Sequence, residues 1–221
     1  MATVVITGAN RGIGLEFCNR FSERGDTLIG LCRKSSDALD ALGCRVEEGI
    51  DVSSDACVGI IRERLQDLAQ IDILINNAGL LTNESLSDMD YGRIRDQFEV
   101  NTLGPLRVTD ALKEKLLSGS KLIMITSVMG SNADNGSGGM YGYRISKAAL
   151  NIASVSLTRD LESRGVAVGI FHPGYVKTEM TAMGGNITPA ESVNGLMQRI
   201  DELSMQNTGS FRHTNGEALS W

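Results

Sequence analysis

Short apolar runs alternate with helical segments along almost the whole chain, and this alternation constrains the fold more than any other feature. Six runs have the composition of strands: Thr3–Thr7, Thr27–Cys32, Cys44–Glu48, Ile71–Asn76, Lys121–Thr126 and Val166–Phe171. Most are continuously apolar, which is typical of parallel strands covered on both faces. The alternation predicts an α/β fold: a single Rossmann-type, doubly wound parallel sheet of about seven strands, flanked by helices.

The segments between the strands are predicted to be helices. They cover Ile13–Arg24, Asp55–Ala69, Asp88–Leu117 and Tyr141–Arg164, and another helix is expected to begin near Pro189. Gly25 and Gly165 stand where glycines commonly end helices. Apolar residues recur every four positions in the helix Tyr141–Arg164 and predict an apolar face. These residues are Ile145, Ala149, Ala153, Leu157 and Leu161.

Composition narrows the classes of partner. The 221 residues show no repeat or charge block, so we expect one domain over residues 1–221. A net charge of −6 argues against nucleic acid as the main partner, and no apolar run reaches the roughly 20 residues that cross a bilayer. Cys18, Cys32, Cys44 and Cys57 form no Cys-x-x-Cys pair, which favours reduced thiols over a metal site. These observations predict a cytoplasmic protein that holds no metal.

The first strand leads directly into a glycine-rich loop. The loop reads Thr7-Gly8-Ala9-Asn10-Arg11-Gly12-Ile13-Gly14, and a predicted helix follows it. Glycines at such a junction permit a tight turn and let the backbone approach a pyrophosphate at the helix N-terminus. We interpret the loop as a dinucleotide-binding site, with a purely structural turn as the alternative. The predicted contacts are Gly8, Asn10, Arg11, Gly12, Ile13 and Gly14.

The end of the second strand indicates which dinucleotide is preferred. A site selective for NAD usually places an acid there, to bind the 2′-hydroxyl of the ribose. This chain has Arg33 and Lys34 instead, and Arg11 lies in the glycine loop. Arginine can bind a phosphate with two hydrogen bonds. The cations therefore predict a preference for NADP(H) over NAD(H), although they are also compatible with a solvated surface.

Tyr143 and Lys147 lie four residues apart at the start of the last long helix. Four residues are about one turn, so both side chains project from the same face. A positive charge near a phenol favours the phenolate. We therefore expect Lys147 to lower the pKa of Tyr143, which would then donate and accept protons near neutral pH. Tyr and Lys at this spacing occur in many helices. The nucleotide-binding loop predicted at the N-terminus supports a functional role for this pair.

Further segments occur in an order that resembles one enzyme family. Asp51-Val52 follows the third predicted strand, and Asn76-Asn77-Ala78-Gly79 follows the fourth. Together with the glycine loop and the Tyr143/Lys147 pair, they resemble the short-chain dehydrogenase/reductase family over essentially the whole chain.

Three more positions match this family. Asn101 lies in Val100-Asn101-Thr102-Leu103-Gly104, and Ser127 lies at the end of the fifth predicted strand. The segment Pro173–Thr178 resembles the family's Pro-Gly-x-Val-x-Thr stretch. Within the family, the chain looks most similar to the small reductases of the C-factor and sniffer-type carbonyl reductase branch.

The resemblance implies an oxidoreductase that transfers a hydride between NADP(H) and a small-molecule carbonyl or alcohol. Tyr143 would be the general acid/base, and Lys147 would lower its pKa and bind the nicotinamide ribose. Ser127 would hold the substrate oxygen, and Asn101 would anchor a water that links Lys147 to solvent. The cofactor contacts implied outside the glycine loop are Arg33, Asp51, Val52, Asn77, Ala78, Gly79, Tyr143, Lys147, Pro173, Gly174, Val176 and Thr178.

The chain departs from the family pattern on the substrate side. Ser127 precedes Tyr143 by sixteen residues, more than is common in the family, and Ser131 is the less favoured substitute. Where many members carry a substrate-covering insertion, Glu179–Ile187 is short. We expect an open pocket between residues 128–140 and 174–187. Four methionines fall in or near these segments and suit an adaptable lining: Met129, Met140, Met180 and Met183.

Two questions about function and assembly stay open at this stage. The resemblance to C-factor proteins keeps a second function available, a cofactor-binding signalling or regulatory protein with little turnover. The family commonly forms dimers or tetramers on paired long helices. A homodimer or homotetramer built on Asp88–Leu117 and Tyr141–Arg164 is therefore expected.

Overall fold

The computed structural model describes residues 1–221 and centres on a sheet of seven parallel strands, in the order β3-β2-β1-β4-β5-β6-β7. The strands are β1 Thr3–Thr7, β2 Thr27–Leu31, β3 Arg45–Glu47, β4 Ile73–Asn76, β5 Lys121–Ile125, β6 Ala167–His172 and β7 Phe211–His213. The strand order reverses between β1 and β4, which pair directly, Val5 beside Leu74. In open α/β sheets, ligands bind in the crevice beside such a reversal.

Helices cover both faces of the sheet. They are α1 Gly12–Glu23, α2 Asp37–Asp40, α3 Ala56–Arg64, α4 Tyr91–Phe98, α5 Gly104–Leu112, α6 Tyr141–Glu162 and α7 Pro189–Glu202. Two apolar cores result, one on each face. Val5 and Leu74 contribute to one core, and their neighbours Val4 and Ile73 contribute to the other. This two-sided burial explains why the strands are continuously apolar.

The predicted Rossmann-type sheet is confirmed, and the six predicted strands are all present with boundaries shifted by one or two residues. Two elements were not predicted. Strand β7, Phe-Arg-His, and helix α2, Asp-Ala-Leu-Asp, are too short to carry an apolar period. None of the helices in residues 1–221 has the length and apolar character that a membrane-spanning helix needs.

The predicted helix Asp88–Leu117 is not a single α-helix. Its α-helical part begins at Tyr91, because the Asp90 side chain caps it by accepting from Arg93 N. Residues Glu99–Leu103 form a π-helical turn between α4 and α5, and Lys113–Lys115 form a 3₁₀ turn. A π-turn inserts one extra residue and frequently marks a functional site. Asn101 lies in this turn.

Two other helix predictions need correction. Helix α3 ends at Arg64, five residues before the predicted end, and the Arg45 guanidinium satisfies the freed Arg64 carbonyl. In α6, the predicted apolar face packs against the core only near its end, where Leu161 is buried and Leu157 contacts the core, whereas Ile145 at its start is 50% exposed. The face that packs inward is instead rich in small and polar residues, including Ser146, Lys147 and Ser154.

Candidate active site

A cleft of about 760 Å³ opens at the carboxyl ends of the central strands. The glycine loop after β1 and the Asn77–Gly79 segment after β4 line it, as do Tyr143 and Lys147 on α6. The reversal of strand order brings the first two together. The nucleotide loop and the Tyr/Lys pair, which are far apart in sequence, therefore share one cleft.

The glycine loop is built for a close backbone approach. Gly8 and Gly12 have φ of 67° and 56°, in the region that other residues seldom adopt. A Cβ at Gly14 would lie 2.1 Å from the Gly8 carbonyl oxygen, so only glycine fits there. Helix α1 begins at Gly12, and the Arg11 side chain does not cap it. Its first backbone N–H groups are thus directed at the cleft, where they suit an anion such as a pyrophosphate.

The loop after β4 is fastened to the loop after β1. The backbone N–H groups of Asn77 and Ala78 both donate to Thr7 Oγ1 at 3.0 Å. The Asn77 amide donates to the carbonyls of Thr7 at 3.0 Å and Gly8 at 3.3 Å. These bonds occupy the Asn77 Nδ2 donor group and hold the two loops together. Ala78 and Gly79 line the cleft beside it.

Ser127, Tyr143 and Lys147 form a buried polar group at the inner end of the cleft. The Ser127 hydroxyl lies close enough to the Tyr143 phenol to lower its pKa, and all three residues are at most 9% exposed. Lys147 Nζ donates to the Ile125 carbonyl at 3.0 Å and lies 5.7 Å from the centroid of the Tyr143 ring. The predicted partners therefore come together, with Ser127 beside the phenol.

The prediction that Lys147 lowers the pKa of Tyr143 is wrong for this structure. Burial raises the Tyr143 pKa to about 12, and the nearby Ser127 hydroxyl offsets only part of this. Lys147 has no comparable effect, because its ammonium is directed to the Ile125 carbonyl. Burial in turn lowers the pKa of Lys147 to about 8. Desolvation of both charged forms outweighs their mutual attraction here.

Ser131, the substitute considered for Ser127, is engaged elsewhere. Its hydroxyl accepts from Asp134 N at 3.3 Å, within the loop 128–140. The Ser127 hydroxyl also accepts from Met129 N at 3.2 Å, which begins a short 3₁₀ turn and fixes the serine rotamer. The extra residues between Ser127 and Tyr143 are therefore absorbed by the loop.

Asn101 connects three segments rather than facing the cleft. Its amide donates to the Leu80 carbonyl at 2.7 Å and to Ser146 Oγ at 3.0 Å, and its Oδ1 accepts from Leu80 N at 2.8 Å. Both amide hydrogens are thus used within the protein. Asn101 ties the π-turn to the segment after Gly79 and to α6, one residue before Lys147.

The predicted cations lie at the opposite end of the cleft. Arg11, Arg33 and Lys34 all line it. Asn10 donates to the Lys34 carbonyl at 2.9 Å, which holds the end of β2 against the glycine loop. Arg11 pairs with Glu179 at 2.5 Å, across the mouth of the cleft. The positive charge of Arg33 contributes to lowering the pKa of Asp51, after the larger effect of hydrogen bonds from Ser53.

The segment after β6 divides into residues that line the cleft and residues that shape it. Pro173 and Thr178 line the cleft, whereas Gly174 and Val176 do not. Gly174 has φ of 86°, and a Cβ there would lie 2.7 Å from Ile187 Cδ1. The Val176 carbonyl accepts from Thr181 Oγ1 at 2.7 Å. Gly174 and Val176 therefore fold the short 179–187 segment over the cleft.

Most of the predicted cofactor contacts line the cleft. They are Gly8, Asn10, Arg11, Gly12, Ile13, Arg33, Asp51, Val52, Asn77, Ala78, Gly79, Tyr143, Lys147, Pro173 and Thr178. Gly14 lies behind the loop, where it permits close packing. Of the four methionines, Met180 and Met183 line the cleft and the other two do not.

Several lining residues escaped prediction. Leu31 and Ile125 end β2 and β5, and Cys32 and Thr126 follow them directly. The others are Ile50 after β3, Val100 in the π-turn, and Lys177 and Glu179 in the loop after β6. The strand-end residues could have been found by counting to the last apolar residue of each strand. The fully buried Glu84 was also missed, and no local pattern in the sequence indicates it.

Comparison with known proteins identifies relatives that match over most of the chain. The family model for short chain dehydrogenases matches residues 2–189. The chain is 38% identical to 1-hydroxy-2-glutathionyl-2-methyl-3-butene dehydrogenase of Rhodococcus sp. (strain AD45), covering 100% of both proteins. It is 40% identical to C-signal of Myxococcus xanthus, over 68% of this chain and 93% of that protein.

Solved structures agree with these relatives. An NADPH-bound carbonyl reductase from chicken fatty liver superposes with a TM-score of 0.89 at 26% identity, covering 100% of this chain and 99% of that one. The carbonyl reductase Sniffer of D. melanogaster gives a TM-score of 0.90 at 26% identity, covering 100% of both. The predicted likeness to the C-factor and sniffer-type branch is confirmed. With its nucleotide cradle and its Ser127–Tyr143–Lys147 group, the chain belongs to the short-chain dehydrogenase family.

Proposed function

We propose that this protein is an NADP(H)-dependent oxidoreductase that reduces a carbonyl or oxidises the corresponding alcohol, with Tyr143 as the general acid/base. The observation that carries the proposal is the buried group of Ser127, Tyr143 and Lys147 beside a glycine-lined cleft. A buried phenol paired with a hydroxyl, beside a cradle for a dinucleotide, suits proton transfer that accompanies hydride transfer.

The residues of the cleft fit a dinucleotide. The Gly8 and Gly12 backbone leaves no side chain between the strand end and the free N–H groups of α1. Those N–H groups suit the pyrophosphate, and the carboxylate of Asp51 lies near the end of the cleft that carries Arg33. Bound there, NADPH would supply the hydride for the carbonyl carbon.

Each residue of the inner group would have one task. The phenol of Tyr143, with a pKa of about 12, is protonated at neutral pH and would donate that proton to the carbonyl oxygen. The Ser127 hydroxyl would hold that oxygen in register. Lys147 would bind the nicotinamide ribose, and Asn101, whose amide hydrogens are both used within the protein, would hold the π-turn against α6.

Arg11, Arg33 and Lys34 support the choice of NADP(H). They line the end of the cleft next to β2, and no acidic side chain follows that strand directly. Arg33 and Lys34 form no ion pair within residues 1–221, so their charges are available to a 2′-phosphate. The NADPH-bound carbonyl reductase of matching fold supports the same choice.

We further propose that the substrate is a small or medium-sized, partly apolar carbonyl or alcohol. Met180 and Met183 line the open rim of the cleft, and methionine adapts to varied apolar shapes. The Rhodococcus relative is named for an unsaturated primary alcohol that carries a glutathionyl group. An alcohol with such a bulky thioether substituent therefore belongs among the candidate substrates.

The test measures oxidation of NADPH and of NADH against a panel of ketones, aldehydes and quinones. We expect turnover with at least one apolar carbonyl, and kcat/KM at least tenfold higher with NADPH than with NADH. Glutathione-conjugated alcohols, assayed in the oxidative direction, extend the panel. Equal kcat/KM with the two cofactors would contradict the cofactor choice without affecting the oxidoreductase assignment.

A second function, cofactor-binding signalling with little turnover, is favoured by the likeness to C-signal. The complete Ser127–Tyr143–Lys147 group argues against it, since a protein that only binds a cofactor has no need of a proton donor. Tight binding of NADPH without turnover on any compound of the panel would favour signalling over catalysis.

We propose a homodimer built on the outer face of α4 and α6, with a homotetramer as the larger assembly. Ile145 and Ile152 of α6 are 50% and 66% exposed, and Tyr91 of α4 is 68% exposed. Apolar side chains gathered on one helix face suit burial against a second copy. Light scattering at micromolar concentration tests this, and a monomeric mass would contradict it.

The cysteines bear on where the protein works. All four are unpaired, which supports a further proposal that the protein works in the cytoplasm. Cell fractionation tests this proposal, and recovery of the protein outside the cytoplasmic fraction would contradict it.

A further inference from the structure

Glu84 is a fully buried carboxylate in the loop between β4 and α4. Buried acids are rare unless a cation or a complete set of hydrogen bonds compensates them. None of the ion pairs in residues 1–221 includes Glu84. Hydrogen bonds must therefore explain why a carboxylate is kept here.

Three donors converge on the Glu84 carboxylate. The backbone N–H of Gly142 donates to Oε2 at 3.1 Å. Gln97 Nε2 donates to Oε1 at 3.1 Å, and the Thr82 hydroxyl donates to the same oxygen. Gly142 lies in the first turn of α6, where the helix dipole also favours a negative charge. Because all three neighbours donate hydrogen bonds, the site suits a carboxylate, which only accepts them.

Helix α6 has no cap of its own. Its N-cap residue is Met140, which lies in the left-handed region with φ of 50° and has no side-chain acceptor. Methionine is not among the residues that cap helices well. Glu84 supplies what is missing, because its backbone carbonyl also accepts from Met140 N at 2.7 Å. Glu84, from another part of the chain, thus accepts from the backbone N–H groups of both Met140 and Gly142 at the start of α6.

The packing around this contact leaves little freedom. A Cβ at Gly142 would lie 2.2 Å from Gln97 Nε2, so α4 and α6 approach as closely as glycine allows. Gln97 Oε1 accepts from Thr82 N at 3.0 Å, which fixes the amide that donates to Glu84. Tyr143 follows Gly142 directly, so any shift at this contact moves the phenol.

From these contacts we infer that Glu84 is a positioning residue for the reaction: it caps the Tyr143 helix from outside and sets the phenol against Ser127. The inference rests on the proposed function, since it assigns Glu84 an effect on a step that Tyr143 performs. Glu84 itself does not line the cleft, so its action on the reaction passes through Tyr143.

Glu84→Gln tests this role with little change of volume. The amide replaces one acceptor by a donor, so the three donors can no longer all be satisfied. We expect kcat to fall at least tenfold while KM for NADPH stays within twofold. Glu191→Gln is the matched control, because Glu191 accepts from Thr188 N at 2.7 Å at the start of α7, away from the cleft. It should leave kcat unchanged.

Hydrogen exchange separates failure of this inference from failure of the proposed function. In Glu84→Gln, amides of residues 141–146 should exchange at least tenfold faster than in the native protein, whether or not the protein turns over any substrate. Faster exchange with unchanged kcat would overturn the positioning role, as would equal losses of kcat in the Glu84 and Glu191 variants. If Glu84→Gln does not fold, Thr82→Val removes a single donor, and a kcat unchanged in that variant would overturn the role.

Discussion

The two walls of the cleft are held in place by different means. The cofactor wall consists of the glycine loop Thr7–Gly14 and Asn77–Gly79, and it is held by close backbone contacts: a Cβ at Gly14 would lie 2.1 Å from the Gly8 carbonyl oxygen. The substrate wall consists of the 174–187 segment with the neighbouring 128–140 loop, and it is held by long side chains. Arg144 donates to Ser137 Oγ at 2.8 Å, and Arg11 pairs with Glu179 at 2.5 Å.

This difference explains why the cofactor wall tolerates few substitutions and the substrate wall tolerates more. Close backbone approach demands glycine at fixed positions and tolerates almost no substitution. Exposed side-chain contacts each contribute little and can be exchanged. Substitutions on the two walls should therefore differ in their effects on stability and on cofactor binding.

The largest expected effect is on the cofactor wall. Gly14→Ala forces the Gly8 carbonyl away, so we expect a loss of at least about 3 kcal/mol in the free energy of unfolding, together with loss of NADPH binding. Gly59→Ala is the control. Gly59 lies within α3 with no atom within 4 Å of its Cβ position, so the change should stabilise the protein by roughly 0.5 kcal/mol. If urea unfolding showed the same change in the free energy of unfolding for Gly14→Ala and Gly59→Ala, the close backbone contact at Gly14 would not be what holds this wall.

Lys147 links α6 to the end of β5 and carries a buried charge. Its pKa of about 8 lies below the ordinary 10.5, so between these values the unfolded chain binds more protons than the folded chain. The stability that Lys147 contributes is therefore lowest below pH 8 and rises towards pH 10.5. Lys147→Met should stabilise the protein by about 2 kcal/mol at pH 7, and less at pH 10. A variant less stable than the native protein at pH 7 would contradict the argument.

The cations at the adenosine end should affect one cofactor only. Arg33→Ala removes a charge that can bind a 2′-phosphate, so kcat/KM with NADPH should fall about thirtyfold while kcat/KM with NADH changes little. Arg20→Ala removes the same charge from α1, where Arg20 pairs with Glu16 at 2.8 Å, and should leave both values unchanged. A parallel fall with both cofactors would show that Arg33 does not discriminate between them.

The smallest effect is expected at the mouth of the cleft. Glu179→Gln breaks the exposed pair with Arg11, which releases Arg11 for the phosphate. NADPH should bind about two- to fivefold tighter, and thermal stability should not change measurably. A loss of stability comparable to that of Gly14→Ala would mean that the two walls are not held differently.

The sequence predicts the cofactor wall well because glycine positions and strand ends are local signals. Gly8 and Gly12 need positive φ, and the end of each strand is visible as the end of an apolar run. The reversal between β1 and β4 then follows from the rules of doubly wound sheets. This is why most predicted contacts line the cleft.

The remaining features depend on three-dimensional context. Glu84 and Gly142 lie 58 residues apart in the chain, so no local spacing indicates their contact. The prediction for the Tyr143 pKa considered the neighbouring charge but not burial, which decides its direction. The inward face of α6 carries Ser146 and Ser154, whose hydroxyls find partners only in the folded protein or within their own helix.

Tyr143→Phe tests the central claim, that this phenol performs the proton transfer, most directly. The substitution removes only the hydroxyl near Ser127, and it leaves the cradle intact. We predict that kcat for carbonyl reduction falls at least about a hundredfold, while the dissociation constant for NADPH, from fluorescence titration, stays within threefold. A kcat close to that of the native enzyme, with NADPH still bound, would contradict the account.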